Sequence, residues 1–152
     1  MRIAFGADHA GFELKELLAR RAAELGHKVV DLGTASTASV DYPDYGFAVG
    51  TAVASGQAER GVVVCGTGIG IAISVNRVRG ARAGVATDLY SAGLMREHND
   101  ANVLALGARI TAIPLAMAIL ETFLITPFAG GRHQQRVDKL DATPPRVEGD
   151  SR

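Results

Sequence analysis

The segment most informative about the fold, residues 62–70, reads Val-Val-Val-Cys-Gly-Thr-Gly-Ile-Gly. Four consecutive apolar residues, 62–65, predict a strand that is buried on both faces. The Gly-rich turn after it leads into a helix predicted near 69–77. A buried strand that passes through a short turn into a helix is typical of α/β proteins with a parallel sheet.

The same alternation continues in both directions from this segment. Further strands are predicted over 2–6, 28–32, 82–87 and 102–106, and further helices over about 14–25, 43–56, 88–97, 113–125 and 132–141. Gly26 is expected to end the first helix, and Thr111 to cap the helix that carries Pro114 in its first turn. The pattern predicts a doubly wound, Rossmann-like three-layer α/β/α sandwich with a five-stranded parallel sheet. We expect one domain over 1–141, followed by a disordered tail over 142–152.

Composition argues against several classes of protein. Sixteen basic residues balance sixteen acidic ones, and aromatic residues are only 5% with no Trp, so we expect no nucleic-acid or membrane partner. A single cysteine excludes an intramolecular disulfide and argues against a thiolate metal site. The first residues resemble a strand rather than a signal peptide, and no apolar run reaches the roughly 18–20 residues that span a bilayer. We therefore expect a cytoplasmic protein.

The Gly-rich turn from Cys65 to Gly70 suits an anion. Glycines at alternate positions let successive amides point into one concavity, and the following helix adds its positive end. Such a site binds a phosphate or a developing oxyanion, and the same field favours the thiolate form of a cysteine at its edge. Two alternatives are a structural turn with a buried cysteine, and a dinucleotide site in which Asp88 meets a ribose. The dinucleotide fingerprint requires glycine where the chain has Ile71.

Ligands of parallel sheets bind beyond the carboxyl ends of the strands, so the residues there are candidates. Asp8 could shuttle protons or merely cap the first helix, and His9 could bind phosphate. Arg109 follows the fifth strand. Arg132 and Arg136 are four residues apart and so share one face of the last helix, as a phosphate clamp or as a solvated face.

Two further features are weighed separately. His98 precedes the fifth strand, where a lone histidine usually has no function, and the four histidines show no spacing typical of metal ligands. The helix over 113–125 is apolar almost all the way round, which exceeds what one layer on a sheet can bury. We therefore expect a homo-oligomer.

Taken together, these segments resemble the family of ribose-5-phosphate isomerase B and galactose-6-phosphate isomerase. The resemblance covers Arg2 to about Leu140 and rests on six motifs in order. They are Gly-Ala-Asp-His-Ala-Gly (6–11), Asp-Tyr-Pro (41–43), Cys-Gly-Thr-Gly-Ile-Gly (65–70), Arg-Glu-His-Asn-Asp-Ala-Asn (96–102), Ala-Leu-Gly-Ala-Arg (105–109) and Gly-Gly-Arg-His (130–133).

The resemblance implies an aldose–ketose isomerase that works through an enediolate without metal or organic cofactor. It implies that Cys65 is the base that moves a proton between C2 and C1, that Asp8 relays the hydroxyl proton and that His98 opens the furanose ring. The enediolate oxygen is held by the amides of Gly66, Thr67, Gly68, Ile69 and Gly70 and by the Thr67 hydroxyl. The remaining contacts implied are Asn99 beside His98, the phosphate ligands His9, Arg109, Arg132 and Arg136, and Tyr42 in the sugar pocket.

Some family members lack the cysteine and use a glutamate further along the same loop as the base. Here Cys65 is present and residues 71–79 contain no glutamate, which favours the cysteine. The resemblance also implies a homodimer, or a dimer of dimers, with the active site between subunits. We expect the substrate of this chain to be ribose 5-phosphate, in the pentose phosphate pathway. The alternative substrate is a hexose 6-phosphate of the allose or galactose type. Two functions outside the enzyme class remain as alternatives. The first is a nucleotide-binding regulatory module, and the second is a structural assembly protein.

Overall fold

The five strands form one parallel sheet in the computed structural model, which describes residues 1–142. The strands are β1 (Arg2–Ala7), β2 (Lys28–Asp31), β3 (Arg60–Cys65), β4 (Ala83–Val85) and β5 (Val103–Gly107). Their order across the sheet is β2-β1-β3-β5-β4, so β3 lies at its centre. The tail predicted over 142–152 lies, apart from Ala142, outside the described residues.

Helices cover both faces of the sheet, which confirms the predicted three-layer α/β/α architecture. They are α1 (Phe12–Glu24), α2 (Tyr42–Ala54), α3 (Ile69–Asn76), α4 (Leu89–Glu97), α5 (Ile113–Ile125) and α6 (Gln134–Asp141), with a 3₁₀ turn at Gly131–His133. Helices α1, α4 and α5 share one apolar core with the sheet, and α2 and α3 share the other. None of the helices within residues 1–142 is long and apolar enough to cross a membrane.

The apolar run in β3 is explained by these two cores. Val62 and Val64 belong to the core beneath α1 and α5, whereas Val63 and Cys65 belong to the core beneath α2 and α3. Successive side chains of a strand point to opposite faces, so a strand covered on both sides needs apolar residues at every position. All four are at most 5% exposed.

Three details differ from the sequence-based expectation. Helix α5 begins after Ala112, not Thr111, because the amide of Thr111 still donates to Gly107 O in the turn after β5. Strand β4 begins only at Ala83, because the amide of Arg82 donates to the Asn102 side chain (2.7 Å). The last helix divides into the 3₁₀ turn and α6.

Helix α5 leaves part of its apolar surface uncovered. Ile119 and Phe123 lie fully in the core, whereas Ile113 and Ile125 are 51% and 80% exposed. A second exposed apolar set lies on the opposite layer, along α2 and α3. We call it the α2–α3 patch; its members are Tyr42, Phe47, Ile69 and Ile73. The expected oligomer stays a prediction.

Candidate active site

The Gly-rich turn places the amino end of α3 against the thiol of Cys65. The amide of Gly68 lies 3.1 Å from Cys65 Sγ and donates to it, and the Ile69 amide lies 3.4 Å from Thr67 Oγ1. Gly68 has φ +79°, and a Cβ there would lie 2.9 Å from the carbonyl carbon of Leu106, so the turn requires glycine. The thiol is buried and lies at the amino end of α3.

Asp8 lies beside this turn, after the neighbouring strand β1. Its amide donates to Val64 O (3.2 Å), and its carboxylate Oδ1 accepts from the amide of Gly11 (3.0 Å). The N-cap of α1 is Gly11 itself, so the alternative in which Asp8 caps the helix is wrong. Asp8 is only 7% exposed, and its carboxylate closes the turn that precedes the helix.

Tyr42 contacts the Gly-rich turn, and His9 follows Asp8 in the turn after β1. The ring nitrogen Nδ1 of His9 lies 3.2 Å from both the backbone N and O of Val40. The Tyr42 ring packs on Gly70, where a Cβ would lie 2.9 Å from Tyr42 Cζ.

The guanidinium of Arg109 lies on the other side of the turn. A Cβ on Gly66 would meet Nη1 of Arg109 at 3.4 Å, and the Arg109 amide donates to Gly66 O (3.0 Å). This edge of one chain therefore carries a thiol, a carboxylate, an imidazole and a guanidinium around one amide-lined turn. We call these residues the carboxyl-edge group: Asp8, His9, Tyr42, Cys65 to Gly70 and Arg109.

His98 and Asn99 do not join this group. They follow α4 and precede β5, and the chain enters β5 at the amino edge of the sheet. Because β5 is five residues long, at about 3.3 Å per residue, they lie roughly 15 Å or more from the carboxyl edge. Helix α4 carries the chain back across the sheet, which places these two residues at the edge opposite the Gly-rich turn.

Arg132 and Arg136 lie at the amino edge as well. The loop before them is tied to the end of α4 by a hydrogen bond from the amide of Ala129 to Glu97 O (3.0 Å). Arg132 lies in the 3₁₀ turn and Arg136 in α6, so the argument from one α-helical face is wrong in detail. Both side chains are exposed. We call this second set the amino-edge group: His98, Asn99, Arg132, His133 and Arg136.

His133 belongs to the amino-edge group, although the sequence alone gave it no role. Its ring stacks on that of His98, with centroids 4.3 Å apart and 9° between planes. Burial, and then the charges of His98, Arg132 and Arg136, lower the pKa of His133. The sequence did contain a signal for this position, because His133 lies four residues before Val137. The structure buries both side chains on the inner side of this segment.

Charged residues hold the turn that carries His98 and Asn99. Buried Arg96 donates to Asp100 Oδ1 (2.8 Å) and to Ala101 O, and Arg82 joins Asp100 to Asp141 at the end of α6. Asp100 has φ +45°, a conformation that Asp tolerates better than most residues. The amino-edge group is therefore fixed by a network that sequence patterns did not reveal.

Asp88 is not placed to bind the ribose of a dinucleotide at the Gly-rich turn. Its carboxylate caps α4 by accepting from the amide of Ser91 (2.7 Å), and this hydrogen bond, above all, lowers the pKa of Asp88. Strand β5 also separates β4, which precedes Asp88, from β3 and its Gly-rich turn. Within residues 1–142, no group of three or more His, Cys, Asp or Glu side chains is arranged to hold a metal ion.

The sequence of this chain is similar to those of known proteins. The model of the family described as Ribose/Galactose Isomerase matches residues 3–140. This chain belongs to that family. The ribose/galactose isomerases include ribose-5-phosphate isomerase B of Escherichia coli (strain K12), which is 47% identical over 141 residues, 93% of this chain and 95% of the relative. The putative sugar phosphate isomerase YwlF of Bacillus subtilis (strain 168) is 44% identical over 92% and 95% of the two chains.

Solved structures of the family have the same fold. Ribose-5-phosphate isomerase B of Clostridium thermocellum superposes with a TM-score of 0.92 and 50% identity, covering 93% of this chain and 95% of that one. The enzyme of Mycoplasma genitalium with bound ribulose 5-phosphate gives 0.89 and 36% identity, over 92% and 93%. The resemblance inferred from the six motifs is confirmed, and so are the Rossmann-like fold and the isomerase class. The roles of individual site residues stay predictions.

Proposed function

We propose that this protein interconverts ribose 5-phosphate and ribulose 5-phosphate through an enediolate. The observation that carries the proposal is the contact between Cys65 Sγ and the amide of Gly68, with the Asp8 carboxylate in the adjacent turn. A base, a set of amide donors and a second proton carrier are the groups that such a reaction needs. The names and ligand of the relatives support ribose 5-phosphate as substrate.

The proposed chemistry balances without an outside reactant. The Cys65 thiolate removes the proton from C2 of the open-chain aldose phosphate. The electron pair of the broken C2–H bond then forms the C1–C2 double bond. The carbonyl oxygen at C1 becomes an oxyanion, which the amides at the start of α3 stabilise. Asp8 moves the hydroxyl proton from O2 to O1, and the Cys65 thiol returns its proton to C1. The product is the ketose phosphate, and both proton carriers are restored.

Ring opening and phosphate binding are assigned to residues of both edges. In the proposal His98 transfers the proton that opens the furanose ring, and Asn99 lies beside it. His9 and Arg109 of the carboxyl-edge group and Arg132 and Arg136 of the amino-edge group bind the phosphate through charge-assisted hydrogen bonds. No metal or organic cofactor takes part.

A site assembled from two copies is part of the proposal. The two groups lie at opposite edges of one sheet, so a single chain does not bring Cys65 and His98 together. Two copies that contact each other through the α2–α3 patch would cover Ile69 and Ile73, which are 57% and 60% exposed beside the Gly-rich turn. We propose a homodimer, or a dimer of dimers, in the cytoplasm.

Steady-state rates on three substrates test the proposed function. Ribose 5-phosphate is expected to give the highest kcat/KM, with allose 6-phosphate and galactose 6-phosphate well below it. A higher value on either hexose phosphate would move the assignment to that substrate. An absence of turnover on all three would overturn the isomerase assignment, and a thermal shift with adenine nucleotides instead would favour the regulatory module.

A further inference from the structure

Lys15 of helix α1 is fully buried, an uncommon position for a lysine. Its Nζ lies 2.7 and 2.6 Å from the two carboxylate oxygens of Asp31 and 2.8 Å from Oε1 of Glu16. An ion pair of this kind adds little net stability, since apolar residues of similar volume often serve as well or better. Stability alone therefore does not account for the pair, and its geometry suggests another role.

Asp31 connects the ion pair to the segment after β2. Its Oδ1 accepts a hydrogen bond from the amide of Gly33 (2.9 Å). Gly33 has φ +97° and lies against the Tyr45 ring, where a Cβ would come within 2.8 Å of Cε1. Because Lys15 contacts both carboxylate oxygens, it fixes the orientation of the carboxylate and hence the position of the Gly33 amide.

The segment at Gly33 is hydrogen-bonded to Ala7, the residue that precedes Asp8. The Ala7 amide donates to Gly33 O (2.7 Å), and the Thr34 amide donates to Ala7 O (2.9 Å). These two hydrogen bonds extend the pairing of β1 with β2 beyond Asp31, the last residue of β2. They fix the backbone that enters Asp8.

The other end of the Asp8 turn leads into α1, the helix that carries Lys15, through hydrogen bonds that do not involve the ammonium group. The Gly11 amide donates to Asp8 Oδ1, and the Lys15 amide donates to Gly11 O (2.9 Å). We infer that Lys15, through Asp31, is a positioning residue that holds the Asp8 carboxylate in place for proton transfer. The inference rests on the proposed function, in which Asp8 relays the hydroxyl proton. A displacement of a proton carrier by about 1 Å can cost on the order of a hundredfold in rate.

The first test replaces Lys15 with methionine, which keeps length and burial but removes the ammonium group. Lys15→Met is expected to lower kcat about tenfold to a hundredfold, with KM within about twofold. Arg21→Met is the matched control, because Arg21 lies on the same helix and forms an ion pair with Glu121 (2.7 Å) that does not reach Asp8. It is expected to leave both constants within twofold. The alkylation rate of Cys65 should also stay unchanged in both variants.

A double-mutant cycle tests whether the effect passes through Asp8. Asp8→Asn is expected to lower kcat by about 10²–10⁴-fold, which is measurable by following product at high enzyme concentration. In that background Lys15→Met should lower kcat by less than twofold, although it should lower Tm as much as in the wild type.

Three outcomes would overturn the inference. A Lys15→Met variant with lowered Tm and unchanged kcat would make the pair purely structural. Equal losses of kcat in the two backgrounds would show that Lys15 acts through another group. Full turnover in Asp8→Asn would remove the role of Asp8, and the inference with it, while the isomerase assignment stands if the wild type isomerises ribose 5-phosphate. If Lys15→Met does not fold, Asp31→Asn carries the same cycle, because the Asp31 side chain is 45% exposed.

Discussion

The imidazole rings of His98 and His133 stack with their centroids 4.3 Å apart and an angle of 9° between their planes. One ring ends α4 and the other ends the 3₁₀ turn, so their contact joins two segments that are distant in the chain. His133 is the buried partner, whereas the His98 side chain is 36% exposed. The stack therefore fixes the plane of the ring to which we assign ring opening.

The lowered pKa of His133 predicts a loss of stability in acid. The neutral imidazole is favoured in the folded state by burial, and by the charges of His98, Arg132 and Arg136. Below about pH 6.5, the ordinary value for histidine, the unfolded chain binds the proton more readily. The stabilisation is therefore complete above that pH and is lost as the pH falls through the lower pKa of the folded state.

Thermal unfolding at pH 8 and pH 5.5 measures this effect. His133→Gln is expected to have a smaller drop in Tm between the two pH values than the wild type. His27→Gln, a change beside the N-terminus, is the control and should keep the full drop. An unchanged pH dependence in His133→Gln would contradict the prediction.

Cys65→Ser is expected to abolish isomerisation while substrate still binds. The serine keeps the shape of the side chain beside the Gly68 amide but is a far weaker base at neutral pH. Loss of a general base costs about 10²–10⁴-fold in kcat, so residual turnover above about a tenth of wild type would exclude this role. Because the chain has one cysteine, alkylation with iodoacetamide reports on Cys65 alone, and inorganic phosphate should protect it.

A site shared between copies predicts complementation between two inactive variants. Cys65→Ser and His98→Asn should each be inactive alone. After unfolding and refolding together, half of the dimers are mixed, and each mixed dimer has one intact site of two, which gives about one quarter of the wild-type activity. Recovery of no activity, with mixed dimers shown by mass spectrometry, would mean that Cys65 and His98 do not share a site across the interface.

Arg132→Ala and Arg136→Ala are each expected to raise KM. A charge-assisted contact contributes about 1.5–3 kcal/mol, which corresponds to roughly tenfold to a hundredfold in affinity, and the double change should cost more. Arg20→Ala, at an exposed position of α1, should leave KM unchanged. Unphosphorylated ribose, a poor substrate, should respond to none of these changes. Normal phosphate binding in both single variants would identify the arginines as a solvated face.

Most of the fold was predictable because element types depend on local patterns. The apolar run of β3 and the alternation of strands with helices led to the correct sheet and layers. The errors fell where a tertiary contact replaced the local rule. Thr111 resembled a helix cap but remains in the turn after β5, and Arg82 resembled a strand residue but donates its amide to Asn102.

The carboxyl-edge group was also predictable, since Cys65 ends a strand of the parallel sheet and Asp8 and Arg109 follow two others. His98 was correctly placed before the fifth strand, but its neighbours at that edge depend on how the segment from residue 129 onward packs against the end of α4. Lys15 was missed because a lysine in a helix is by default exposed, and His133 was missed because its four-residue spacing from Val137 was not used.

The sequence by itself determined which residues could perform the chemistry and which turn holds the amides around Cys65, because the order of strand, glycine turn and helix is a local property. Tertiary structure alone decided that Lys15 is buried against Asp31, that His133 stacks on His98, and that the two groups occupy opposite edges. These contacts join separate elements. They depend on how helices pack on the sheet and exclude water, which short-range patterns do not specify.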